Sequence, residues 1–143
     1  MVFDSGDFLD KKAAELGIYD DARSRDKGVE PEGVELFTLG GRTIAAIGLE
    51  RTLKGSVALY DITDPANATF LDMLVTDGDL APEGLEAFEF NGKSYLAIAN
   101  EVSKPLLYIL LRQCLSQKLM RCYWLGLDCL VIQHVVENHA KNI

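Results

Sequence analysis

The residues best able to do chemistry in this chain are carboxylates, and they recur. Pro31-Glu32-Gly33 reappears as Pro82-Glu83-Gly84, and Glu50 has a counterpart in Glu101, all at an offset of 51 residues. Repeated carboxylates brought to one rim would offer the hard oxygen ligands that Ca²⁺ prefers, although Ca²⁺ takes six to eight of them. Glu32, Glu83, Glu50 and Glu101 are therefore the candidate metal ligands. The competing reading is that Pro-Glu-Gly is structural punctuation: proline sets the turn, glycine permits close approach, and glutamate caps backbone N–H groups. Asp61 and Asp64 flank Ile62-Thr63 and suit turn capping before Pro65 better than metal binding. Asn67-Ala68-Thr69 is an N-glycosylation sequon, meaningful for a secreted protein. Cys129, His134 and His139 are spaced to share one helical face but lack a fourth zinc ligand. No catalytic residue is assigned. The chain has no Gly-x-Ser-x-Gly elbow, His-Glu-x-x-His motif or phosphate-binding glycine loop, and both histidines lie beyond residue 130.

These residues need elements to hold them, and the repeat defines the elements. Without a gap, the 51-residue offset gives nine identities over the 21 positions from Pro31 to Arg51. Unrelated sequences of ordinary composition would share about one or two. Within the unit, Gly33 to Leu39 reads as a strand and Gly40-Gly41 as a two-residue hairpin loop. Arg42 to Leu49 is nearly continuous in apolar and small residues, as suits a strand covered on both faces. Ser56 to Ile62 is a third strand, ended by the turn-rich Thr63-Asp64-Pro65-Ala66-Asn67. Thr69 to Val75 is a fourth, with Leu71, Met73 and Val75 on one face and Asp72 on the other, which predicts a half-exposed outer strand.

Four antiparallel strands per unit of about 50 residues describe a β-propeller blade. The expected fold is mainly β: one and a half to two blades of an incomplete β-propeller, with a short N-terminal helix and a partly helical C-terminal tail. Residues 1–30 form the helix and a charged connector, with Ser5 as helix cap and Gly17 as its stop. Residues 31–111 hold a blade (31–81) and a partial blade (82–111) of two or three strands. Residues 112–143 form a divergent tail, helical over part of 112–140, with 127–136 open between helix and strand. Propellers close with about four to eight blades, so the expected partners are the remaining blades or further copies meeting at open sheet edges.

Charge and composition narrow the function classes. Among 143 residues, 14 are basic and 22 acidic, for a net charge of −8. Such a chain repels phosphate backbones, which disfavours nucleic-acid binding. The residues from Leu106 onward carry four basic and two acidic side chains, all three cysteines and both histidines, and so differ in kind from the acidic body. Leu106 to Leu111 is the longest apolar run, far below the roughly 20 residues that span a bilayer. Met1 to Asp7 has neither a basic n-region nor an apolar h-region and does not read as a secretory signal.

Several strings together carry a family resemblance. They are Phe3-Asp4-Ser5-Gly6-Asp7-Phe8, Ser24 to Gly33, Gly48-Leu49-Glu50-Arg51, Tyr60 to Asn67, Ala81 to Leu85 and Ala99-Asn100-Glu101-Val102-Ser103. In this order they resemble the choice-of-anchor I propeller family, which includes mesenchyme-specific cell-surface glycoproteins and bacterial proteins described as alkaline-phosphatase-like. The resemblance covers about residues 2–105, corresponds to the last part of a longer domain, and ceases after Ser103. It implies an extracellular or cell-surface, non-enzymatic glycoprotein fragment that binds Ca²⁺, mineral or matrix, as in biomineralised tissue. The alternative it carries is a metal-dependent phosphoesterase, with glutamate-held metal activating water.

Overall fold

The computed structural model describes residues 2–103, 107–111 and 133–135. Helix α1 (Phe8–Glu15) and a 3-10 turn at Asp21–Arg23 precede eight strands: β1 (Pro31–Leu39), β2 (Arg42–Leu49), β3 (Gly55–Asp61), β4 (Thr69–Thr76), β5 (Pro82–Phe90), β6 (Lys93–Asn100), β7 (Leu107–Leu111) and β8 (Gln133–Val135). They form two four-stranded antiparallel sheets, ordered β1-β2-β3-β4 and β5-β6-β7-β8. The described chain is thus mainly β, in two consecutive sheets that fit an incomplete propeller-like fragment.

The two repeats share their backbone in detail. β1 and β2 turn at Gly40-Gly41, and β5 and β6 at Asn91-Gly92, all four residues having positive φ. That is the requirement of a two-residue hairpin whose twist matches its strands. Each first strand also carries a bulge just after its proline. Each proline in turn follows a non-glycine residue at positive φ, Glu30 (45°) and Ala81 (57°). Glu30 and Ala81 differ in chemistry and agree in geometry, so the offset of 51 is a structural period and not a chance run of identities.

Alternation along the strands sorts apolar side chains into two layers. Ile44, Ala46, Val57, Leu59 and Leu74 of the first sheet meet Leu96, Ile98, Ile109 and Leu111 of the second. The opposite face of the first sheet, through Ala45, Leu49, Ala58, Tyr60 and Met73, packs on Leu9, Ala13, Ile18 and Val29. The N-terminal segment is therefore a cover for the first sheet. It is sewn to the β2–β3 connection by backbone hydrogen bonds from Leu53 N–H to Ile18 (2.8 Å) and from Arg51 N–H to Val29 (3.1 Å).

Three expectations are corrected. β4 is not a half-exposed strand with Leu71, Met73 and Val75 on one face. The β3–β4 pairing shifts between Leu59 and Tyr60, so Leu71 joins Leu74 between the sheets while Met73 and Val75 face the N-terminal cover. The second unit gains a fourth strand, because β8 pairs with the otherwise open edge of β7. Helix α1 starts at Phe8 with Asp7 at its N-cap; Ser5 contributes only its carbonyl, which accepts from Phe8 N–H at 3.1 Å. Asp7 pairs with Lys11 at 2.9 Å, and Gly17, at φ 68°, ends the helix as expected. The helix expected over part of 112–140 lies outside the described residues, except at 133–135, which are strand.

Candidate functional site

Hairpin geometry brings acids together at the start of the first sheet. The β1–β2 ladder continues past Pro31↔Leu49 to a hydrogen bond from Glu50 N–H to the Glu30 carbonyl (3.0 Å). Glu30, Glu32 and Glu50 each place a carboxylate oxygen within 4.8 Å of the other two. Glu30 and Glu50 are only 7% and 6% exposed, whereas Glu32 is open to solvent. Of the four candidate ligands read from the sequence, Glu32 and Glu50 are thus united, and Glu30 is added.

Basic groups from the connector and from β2's end already face this cluster. Arg23 Nη2 bonds Glu30 Oε1 and also reaches Asp26 at 3.1 Å; Lys27 Nζ lies 3.7 Å from Glu30 Oε2. Arg51 Nη2 bonds Glu50 Oε1. The hydrogen bond from Arg23 holds the Glu30 carboxyl below its ordinary range, against the opposing effect of burial. Glu50 is shifted the other way: burial raises its proton affinity more than Arg51 lowers it, and a hydrogen bond with Glu32 adds to the rise. Four acids, Asp26 included, against three cations make a charged knot that ties the connector to the sheet. Its chemistry is ion pairing. A Ca²⁺ ion would have only three carboxylates here and would compete with two guanidinium groups, so the residues do not form a ready-made calcium cage.

Glu83 and Glu101 are both exposed and join no such group among the described residues. Glu101 N–H bonds the Ala81 carbonyl at 2.8 Å, matching the Glu50–Glu30 bond of the first unit. Ala81 occupies the position of Glu30, so the second unit lacks the third acid. The part of Pro-Glu-Gly with a clear physical task is the glycine. A Cβ on Gly33 would collide with the backbone carbonyl of Glu83, and one on Gly48 would lie 2.6 Å from the Pro82 carbonyl. These two glycines let the leading strand of the second sheet pack directly on the backbone of the first.

The remaining candidates fall into place as turn chemistry. Asp61 Oδ1 accepts from Thr63 N–H (2.9 Å) and Asp64 Oδ1 from Ala66 N–H (3.1 Å). The Thr63 hydroxyl lowers the Asp61 pKa, and the Asn67 amide does the same for Asp64. Asn67 is exposed in the 3-10 turn Pro65–Asn67, and its Nδ2 donates to Asp64 Oδ2 at 2.7 Å. His134 lies in β8 opposite Ile109, whereas Cys129 and His139 lie outside the described residues. The crevice between the sheets lined by Gly55, Thr76, Pro82 and Asn100 among others has essentially no room for a ligand, not even for a water-sized sphere.

Glu30 was legible in principle. A two-residue loop at Gly40-Gly41 fixes the register so that residue 30 falls opposite 50 or 51, which extends the ladder past the proline. Reading residues 20–30 as a solvated charged connector hid it.

Residues 1–65 match the family model of the choice-of-anchor I domain, which bears out the family resemblance over that stretch, somewhat under half of the chain. No curated protein and no solved structure matches the chain.

Proposed function

We propose that this chain is a non-enzymatic scaffold segment of a cell-surface or extracellular β-domain, with the match of residues 1–65 to the choice-of-anchor I domain as the observation that carries it. A choice-of-anchor I domain points to a β-domain associated with the cell surface. No helix among the described residues is long and apolar enough to cross a membrane. The geometry supports a structural role: Glu30 and Glu50 of the candidate site are paired with cations, the turn aspartates cap backbone groups, and the inter-sheet crevice is small. Within this reading Asn67 is the glycan acceptor, since its turn is exposed.

Calcium or mineral binding enters the proposal as a weak, rim-level property of Glu32, Glu50, Glu83 and Glu101. With so few ligands the affinity falls at about 10⁻⁴ to 10⁻³ M, the range of extracellular modules. Calorimetric titration with CaCl₂ tests it, using the wild type, Glu32→Gln and Glu83→Gln. Heat that is saturable in the wild type and reduced in either variant supports a rim site. No heat at millimolar ion ends the calcium component and leaves the scaffold reading standing. Surface biotinylation of cells expressing the tagged chain within its natural reading frame tests that reading, and purely internal protein would refute it.

A further inference from the structure

We propose that Asn91-Gly92, the turn of the β5–β6 hairpin, is a site of spontaneous covalent modification, where loss of the asparagine amide yields aspartate and isoaspartate and loosens the hairpin. The reaction needs three things. The side-chain amide must be free, the following residue must have no Cβ in the way, and that residue's backbone N–H must not be spent on a hydrogen bond. The hairpin supplies all three. Asn91 is exposed, and its side chain makes no hydrogen bond among the described residues. Even a Cβ added at Gly92 would meet nothing within 4 Å among them. The ladder closes at Phe90↔Lys93, so the Gly92 N–H lies outside it and donates to no turn carbonyl among the described residues.

The other described asparagines do not meet these requirements. Asn67 Nδ2 is held by Asp64 at 2.7 Å, and the next residue is Ala68, whose methyl group hinders the approach. Asn100 is buried, and the N–H of the next residue, Glu101, is spent on the Ala81 carbonyl at 2.8 Å. The first unit has Gly40 at the place of Asn91, so its hairpin has no amide to lose. The step balances without an oxidant or a metal. Solvent takes the proton of the Gly92 N–H, and the nitrogen bonds to Asn91 Cγ. The Cγ–Nδ2 bond breaks, Nδ2 leaves as ammonia with a proton from solvent, and a cyclic imide is closed. Water then opens the ring, at Cγ to give aspartate or at the Asn91 main-chain carbonyl to give isoaspartate. Either product places a new carboxylate in the turn. Isoaspartate also routes the chain through Cβ and Cγ, adding a backbone atom to the two-residue loop that sets the β5–β6 register. β5 carries Leu85 and Ala87 into the layer between the sheets, so a slackened hairpin loosens that joint.

Storage of the folded full chain in mildly alkaline buffer at body temperature tests the inference. Peptide mass spectrometry at intervals follows each asparagine, and electron-transfer fragmentation separates isoaspartate from aspartate. Asn91 is expected to convert at least about tenfold faster than Asn67 or Asn100, a ratio set by how well nucleophile and carbonyl carbon can meet. Amide hydrogen exchange of the aged chain is expected to speed up across β5 and β6, while β2 and β3 keep their protection. Asn91→Gly copies the Gly40-Gly41 turn; it is expected to fold, to resist modification and to keep its exchange pattern on storage. An Asn91 amide that lasts as long as that of Asn67 would overturn the proposal. So would conversion that leaves exchange in β5 and β6 unchanged, or an Asn91→Gly chain that loosens on storage as the wild type does.

Discussion

Replacing Gly33 and Gly84 by alanine, one at a time, isolates the contact that joins the two sheets. The two glycines occupy the same place in the repeat, and neither has a positive φ, so alanine meets no left-handed strain at either. Their surroundings differ. A methyl group at 33 runs into the Glu83 carbonyl, a backbone atom that cannot swing aside, whereas among the described residues one at 84 meets only the Ala99 Cβ at 3.3 Å. Alanine at a compatible glycine stabilises by about 0.4–1 kcal/mol by restricting the unfolded chain. Overpacking a tight contact costs about 1–3 kcal/mol. Gly84→Ala should therefore be near neutral or slightly stabilising, and Gly33→Ala should lose about 1–2 kcal/mol net, a gap of roughly 2 kcal/mol between them. At about 2–4 °C per kcal/mol for a chain near this size, the melting temperatures should differ by some 4–8 °C. Urea and thermal melts followed by far-UV circular dichroism at low micromolar concentration provide the measurement. Equal losses in both variants would refute the idea that Gly33 is required by its neighbour across the sheets.

Ala81→Gly should stabilise by about 0.5–1 kcal/mol, because it removes a left-handed strain of about 1–2 kcal/mol and adds unfolded-state entropy of about half that size; a lowered melting temperature would contradict this. In acid, opposite shifts give opposite signs. Glu50 binds its proton more tightly folded than unfolded, so protonating it as pH falls toward 4.5 favours the fold. Glu30, Asp61 and Asp64 are depressed, so their stabilisation is present above their ordinary values and is lost as pH falls below about 4.5 for Glu30 and 3.8 for the aspartates. Stability should therefore peak on the mildly acidic side of neutrality, and Glu50→Gln should flatten the rise from pH 7, as a series of urea midpoints against pH will show. Expression through a secretory pathway should add a glycan at Asn67, seen as a mass increment that endoglycosidase or Thr69→Ala removes; an unchanged mass would exclude the sequon.

The parts of the fold set by local chemistry were readable in the residues. Gly40-Gly41 announces a hairpin because few residues accept two consecutive positive φ values, and the repeat then transfers the same hairpin to Asn91-Gly92. Asp61 and Asp64 announce turns for the same kind of reason, since a short carboxylate reaches its own backbone. What escaped depends on register and on distant partners. The side of Leu71 depends on a pairing shift opposite Leu59, which leaves no mark in strand alternation. β8 depends on an edge more than 20 residues away in sequence. The acid cluster was half visible: Glu32 and Glu50 follow from the repeat, whereas Glu30 is recognised only when the ladder is carried beyond its proline. Two of its cations, Arg23 and Lys27, come from a segment whose charges alone suggest a solvated linker.

The plain sequential order of the strands has a consequence for how the molecule is made. Every neighbour in the first sheet is also the next strand in the chain, so that sheet forms by short-range closures, which are entropically cheap and fast. Its cover arrives from residues 9–29, synthesised before β1, and all the partners it packs on are complete by residue 76. During synthesis the first sheet and its cover can therefore consolidate while β5 and β6 are still being added, and they present a finished surface on which the later strands condense. Packed between its cover and the second sheet, the first sheet is expected to be the last to exchange its amide protons with solvent, which native-state hydrogen exchange measures.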